Sequence, residues 1–263
     1  MMIRFLAVFI LSSLLQNSPV KATIMVLNDL THENQSAPGE KYQGGVQVQN
    51  ASAEVKSVRI YQTDYWFSHT GESRYDHPGT LKRSNASWIT ISEVFLTLQP
   101  GEIRTVGYEV TVPADETLRG SYWSVIMLEG IQPPDPSRPN AGMAIQTVMR
   151  YAVQIVTHIG ETGTSDLEFI NLSVTREDQV PTLGVDIQNT GDRALRPALS
   201  IDLIDQAGTV VATITAERKR IYPGTSARIL LSLQGVKPGT YSGVIIADCD
   251  EEHVFGAELN LEI

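Results

Sequence analysis

The alternation that most constrains this chain occurs twice, with the same landmarks in the same order. GGVQVQNASAEVKSVRIYQTD begins at Gly44 and LGVDIQNTGDRALRPALSIDLID at Leu183. In each, alternate apolar residues lead to Gln-Asn, a short polar turn and a second alternating run. The two asparagines, Asn50 and Asn189, are 139 residues apart. A Pro-Gly pair follows in both copies, at Pro100 and Pro223, with an offset of 123. A Gly-x-Tyr comes next, with Tyr122 and Tyr241 offset by 119. A side-chain period of two belongs to strands, and no helical period persists here beyond about one turn. Pro presets φ and Gly accepts positive φ, so Pro-Gly ahead of an alternating run marks a turn.

These patterns predict an all-β protein of two tandem immunoglobulin-like β-sandwiches. The Gly-x-Tyr resembles the tyrosine that ties a sandwich corner. The offsets shrink, so the first copy carries extra residues, chiefly between Asn50 and Pro100. That insertion, YQTDYWFSHTGESRYDHPGTLKRSNASWITISEVFLTL, predicts a hairpin with a polar tip around 69–80 and a strand near Trp88. The chain opens with Arg4, an apolar run from Phe5 to Leu15 and a polar stretch ending at Ala22. This is the pattern of a cleaved signal peptide over 1–22, too short for a membrane anchor. The first sandwich is expected over 23–159 and the second over 165–263, joined by the Gly- and Thr-rich HIGETGTSD. No second apolar stretch is long enough to span a bilayer, and the expected location is periplasmic or secreted.

Composition excludes several functions. Removing Arg4 and Lys21 leaves 18 basic against 30 acidic residues. Such a surface repels phosphate backbones, so nucleic acid is not an expected partner. The single cysteine, Cys249, excludes an internal disulfide and is expected as a small buried side chain near a strand end. No Gly-x-Ser-x-Gly, His-Glu-x-x-His, phosphate loop or Cys-x-x-Cys is present, and no catalytic residue or cofactor is expected. Two clusters carry ligand-type side chains: His69, Glu72, Asp76 and His77 in the insertion, and Asp248, Asp250, Glu251, Glu252 and His253 in DCDEEH. Their spacing matches no defined zinc or calcium site, and no metal is expected; DCDEEH reads as a hairpin turn.

The longest alternating run follows the Pro-rich IQPPDPSRPN. From Ala144 to Val156 one face carries Ile145, Thr147, Met149, Tyr151, Val153 and Ile155, with Arg150 on the other. It has no Pro and one charge. A long, uncharged strand at a sheet edge is a template for strand addition, and this strand is expected at or near an edge facing the cleft between the sandwiches.

The chain resembles, through VQVQNASAEVKSVRI, LQPGEIRTVGYEVTVP and this strand after a variable loop, the periplasmic pilus-assembly chaperones. The resemblance implies a non-enzymatic assembly factor that captures exported, pilin-like subunits. The corresponding strand would donate alternate apolar side chains, here Ile145, Met149, Tyr151 and Val153 with Thr147 a weaker member. It also implies cleft cations holding the subunit's terminal carboxylate; Arg150 is one candidate, and TIMVLNDL supplies no second. A further likeness, carried by APGEKYQGGVQVQN, LQPGE and VPADETLRGSYWSVIML, is to wall-associated sandwich surface proteins. It implies an envelope adhesion or glycan-binding module using Tyr65, Trp66 and the insertion tip.

Overall fold

The computed structural model describes residues 23–131, 148–250 and 252–263. The expected signal peptide and the residues Ile145 and Thr147 lie outside them. The first ten strands are β1 (Ile24–Val26), β2 (Thr31–Ser36), β3 (Lys41–Asn50), β4 (Lys56–Phe67), β5 (Ser73–Asp76), β6 (Ile89–Ile91), β7 (Phe95–Leu98), β8 (Ile103–Thr111), β9 (Gly120–Ile131) and β10 (Arg150–Ile159). They form two sheets, one ordered β1-β3-β8-β6 and the other β2-β10-β9-β4-β5, with β7 also paired to β4. The last seven are β11 (Leu167–Glu177), β12 (Val180–Asn189), β13 (Ala198–Ile204), β14 (Val210–Thr215), β15 (Ser226–Ser232), β16 (Thr240–Asp248) and β17 (Val254–Glu262). Their sheets run β11-β12-β15 and β14-β13-β16-β17. The protein is all-β, two sandwiches in tandem, with a single 3-10 turn at Ala86–Trp88 among the described residues.

Alternation makes each core. Val46, Val48, Val106, Val110, Ile126 and Val153 are fully buried between the first pair of sheets. Leu183, Val185, Ile187, Ile201, Leu231 and Ile245 fill the second. Successive strand residues point to opposite faces, so each strand contributes every second side chain.

The asparagine and Pro-Gly landmarks do the same work in both copies. Asn50 Nδ2 donates to the carbonyls of Glu54, Leu98 and Gln99, and its Oδ1 accepts the Ser52 N–H at 3.0 Å. Asn189 Nδ2 donates to the carbonyls of Arg193 and Ile221, and its Oδ1 accepts the Gly191 N–H at 3.0 Å. Each asparagine also accepts, on its backbone carbonyl, the N–H of the Pro-Gly glycine, Gly101 or Gly224, at 2.9 Å. Both glycines hold positive φ, 76° and 74°, which favours that residue in the turn. The corner tyrosine is realised in the second sandwich, where Tyr241 donates to the Lys237 carbonyl at 2.8 Å. Tyr122 instead packs at a tilt against Trp88, with Arg83 over its ring.

The insertion forms the β4–β5 hairpin, closed by a bond from the Ser68 N–H to the Glu72 carbonyl. Its tip at 70–75 is exposed, while the residues just before it dock on the second sandwich. Trp66 Nε1 donates to Gly224 at 3.2 Å, and the His69 N–H donates to Ser226 Oγ at 3.0 Å, both in the second sandwich. Phe67 meets Tyr222 edge-on, and Tyr222 stacks on Trp123 with ring centres 4.6 Å apart. The hairpin, β9, β10 and the β14–β15 connection thus share one small apolar cluster that joins the sandwiches.

Candidate partner-binding site

Of the strand expected over 144–156, residues 144–147 lie outside the described ones. Regular pairing starts at Arg150, opposite Glu129, and continues to Ile159, past the expected end at Val156. The extension follows from β2, which pairs with β10 in parallel from Gln154 to Ile159. Ahead of Gln154 that side of β10 has no neighbour among the described residues. The cause is local: the chain crosses between sheets at 27–30, so β1 pairs with β3 while β2 joins β10. The strand is therefore internal in one half and an edge in the other.

The hydrogen-bond parity identifies which groups the edge exposes. Gly130 donates its N–H to the Met149 carbonyl, so odd-numbered residues of this strand turn their backbone polar groups toward β9. Gln154 donates its N–H to the Leu30 carbonyl, so even-numbered residues turn theirs the other way. Arg150 and Ala152 point theirs to the open side.

Side chains follow the opposite logic. Val153 and Ile155 are fully buried in the first core. Tyr151 is half-buried, and its hydroxyl donates to the Ile24 carbonyl at 3.0 Å. Met149, next on the same face, is 42% exposed. One apolar face thus leaves its own core as the strand becomes an edge. Met25, Leu27, Leu30 and Val148, on the segments bordering the gap, are also more than a third exposed. Arg150 lies on the other face and pairs with Glu129 at 3.3 Å, a carboxylate that also accepts the Tyr61 hydroxyl.

Where β2 closes the edge, a pocket of about 300 Å³ opens between the sandwiches. Its lining includes Thr31, Tyr65, Phe67, Gln154, Lys219 and Arg220. Thr31 and Gln154 are register partners across β2 and β10. The pocket's cations, Lys219 and Arg220, come from the second sandwich, in AERKRI, a stretch that sequence reasoning did not single out. Only the approach of the two sandwiches brings them to this strand.

Sequence spacing also missed a serine–histidine–glutamate chain. Ser121 Oγ lies 2.8 Å from His158 Nδ1, and His158 Nε2 lies 3.2 Å from Glu33 Oε2. These residues come from β9, β10 and β2, so no linear motif records them. The serine is fully buried, and its Oγ already accepts the Ala194 N–H at 2.8 Å. Arg220 neutralises Glu33 through two hydrogen bonds, one of 2.6 Å. The chain therefore holds the sandwiches together and has no reactive hydroxyl open to a substrate.

The hydrogen bond from His158, with Arg220 beside it, lowers the Glu33 carboxyl to about 2 against the opposing effect of burial. A folded-state value below the unfolded one adds stability above the unfolded value and loses it as pH falls through the folded one. Glu33→Gln is therefore expected to destabilise at pH 7, by a margin that shrinks as pH drops from about 4.5 toward 2. Urea unfolding of both proteins across that window checks this. A margin that stays constant would remove Glu33 as a carrier of acid sensitivity.

The two clusters of ligand-type side chains are engaged in local contacts. His69 Nδ1 is 2.9 Å from Ser226 Oγ, and Arg74 lies between Glu72 and Asp76. Asp250 accepts the N–H groups of Glu252 and His253, which closes the β16–β17 turn. Among the described residues no three ligand-type side chains converge. Cys249 is 8% exposed, and burial pushes its thiol up to about 11. Trp66, proposed for glycan stacking, is covered by Arg74 at 4.3 Å from its ring centre.

The fold is two β-sandwiches in tandem, with the first part of β10 lacking a second neighbour among the described residues and a pocket between the sandwiches at its other end. No protein-family model matches the chain, and no curated protein is similar at a significant level. Solved structures are similar over most of its length, and in fold the chain resembles pilus-assembly chaperones. One is a chaperone–tip adhesin complex of CFA/I fimbriae, with TM-score 0.48, 12% identity, and 91% of this chain and 98% of that one covered. Another is the class 5 fimbriae chaperone CfaA, with TM-score 0.47, 13% identity and 90% and 98% covered. A third is the CsuC–CsuE chaperone–tip adhesion subunit pre-assembly complex of Acinetobacter baumannii Csu pili, with TM-score 0.45, 11% identity and 90% and 98% covered.

Proposed function

We propose that this protein is an exported, non-enzymatic assembly factor of the chaperone type, which captures partner subunits by strand addition at the open half of β10. The reading places it in the periplasm or outside the cell. Its partner is an exported, pilin-like subunit with an incomplete β-domain. The observation that carries the reading is the apolar face passing from Val153, fully buried in its own core, through Tyr151 to the exposed Met149, beside backbone groups with no neighbouring strand among the described residues. An incoming strand would pair with Arg150 and Ala152. Met149, and by alternation Thr147 and Ile145, would offer their side chains to the partner's core.

The parity of the strand selects the test. Tyr151→Pro would break the β9 ladder and damage the fold. Ala152→Pro removes an N–H that faces the open side, a position where an edge strand tolerates proline. The variant is expected to fold as the parent does and to copurify its partner about tenfold less, a loss of about 1.4 kcal/mol. The measurement is purification of the mature chain from its native envelope, with mass spectrometry of what accompanies it. Equal recovery of a stoichiometric subunit by both proteins would rule out strand addition here. A chain that comes away alone from the envelope would rule out the assembly role itself.

A further inference from the structure

We propose that the second sandwich carries a self-association site, the outer edge of β14, and that its occupant is the β14 of a second copy of this chain. The strand ends the β14-β13-β16-β17 sheet, so one side has no neighbour among the described residues. Of the edge strands with six or more residues among those described, it alone carries no charge. The others hold Glu33 in β2, Glu168 and Arg176 in β11, Arg228 in β15, and Glu258 and Glu262 in β17. Charges on an edge are a common defence against pairing, and VVATIT has none. Val210 and Val211 are 54% and 46% exposed.

The sheet also stops before its core is covered. Ala212 and Ile214 pack on the second core yet remain only partly buried, because no strand lies beyond them. The occupant must supply inward-facing apolar side chains at the same spacing. A second β14 does so. Ala216 donates its N–H to the Leu199 carbonyl, so even-numbered residues from Ala212 on bond toward β13 and Thr213 and Thr215 turn their backbone groups outward; a bulge opposite Leu203 and Ile204 shifts the register ahead of Ala212. A two-fold axis through Thr213 then pairs Thr213 with its own copy and sets Val211 beside Thr215 of the second chain. At the axis the N–H and carbonyl of each Thr213 meet those of its copy. On the inner face the small Ala212 falls opposite Ile214, and on the outer face Val–Thr and Thr–Thr pairs meet, which suit a sheet surface. In a chain of net charge −10, this alignment opposes no like charges within the paired strands.

Analytical ultracentrifugation of the mature chain over a concentration series tests the assignment. The parent is expected to show a reversible monomer–dimer equilibrium. Thr213→Lys places two ammonium groups opposite each other on the axis and should weaken the dimer at least about tenfold, with the unfolding midpoint unchanged. Asn260→Lys, on the β17 edge, should leave the equilibrium as it is. If Thr213→Lys does not fold, Thr215→Lys repeats the test from the end of the strand. A parent that stays monomeric at all concentrations, or a dimer indifferent to lysine at β14, overturns the proposal.

Discussion

Tyr222→Ala is expected to lower the unfolding free energy by about 3–5 kcal/mol, the range for deleting a large buried aromatic. The side chain is fully buried, stacked on Trp123 and met edge-on by Phe67. Its hydroxyl donates to Gln154 Oε1 on β10, and burial raises the phenol far above its ordinary range. The ring is the one aromatic of the second sandwich in the cluster that joins it to the first. Its removal should therefore uncouple the sandwiches as well as open a cavity. Urea unfolding followed by tryptophan fluorescence, which reports the first sandwich because all three tryptophans lie there, and by far-ultraviolet circular dichroism, which reports both, should change from one coincident transition to two separate ones. A loss below about 1 kcal/mol with a single transition would show that the polar contacts alone hold the sandwiches together.

Asn50→Ala and Asn189→Ala are each expected to cost about 1–3 kcal/mol, since each removes several hydrogen bonds from a buried turn at once, although the Gln99 and Ile221 carbonyls each keep a backbone N–H partner. Both side chains are fully buried. The aspartate variants make the sharper comparison. Asp keeps the shape and the acceptor but loses both amide donors, and it turns a carboxylate toward two or three carbonyl oxygens. Asn189→Asp should thus be at least as destabilising at pH 7 as Asn189→Ala. An aspartate variant with near-parent stability would show that the bond to Gly191, not the bonds to Arg193 and Ile221, is what the turn requires. Equal effects in the two copies would confirm that the motif acts as a unit repeated in both sandwiches.

These asparagines show how much the linear pattern carries. Gln-Asn and Pro-Gly were legible as a repeat because the turn bonds between them form within each sandwich and depend on residue type. The sheets were legible for the same reason: period two follows from one residue and the next. The ends of β10 were not. Alternation runs on through Val148 and Met149, but pairing begins at Arg150, and whether a strand is internal or an edge depends on a neighbour more than a hundred residues away. The insertion was legible as a hairpin but not as a strut, since Trp66 and His69 find their partners in Gly224 and Ser226. The cleft cations and the Ser121, His158, Glu33 chain had no spacing to reveal them.

The sequence by itself determined the class of structure, because alternation, turn residues and the absence of helical period are local properties. It also singled out one long, nearly uncharged alternating strand as the candidate for binding, because alternation and charge are read residue by residue. The tertiary structure alone decided where such binding can occur. Crossing of the chain at 27–30 leaves the first part of β10 with β9 as its one neighbour among the described residues, and the docking of the sandwiches brings Lys219 and Arg220 to its end. The physical reason is range. Strand, turn and face are set by neighbours along the chain, whereas an open edge and a cleft exist only through what long-range packing covers and what it leaves uncovered.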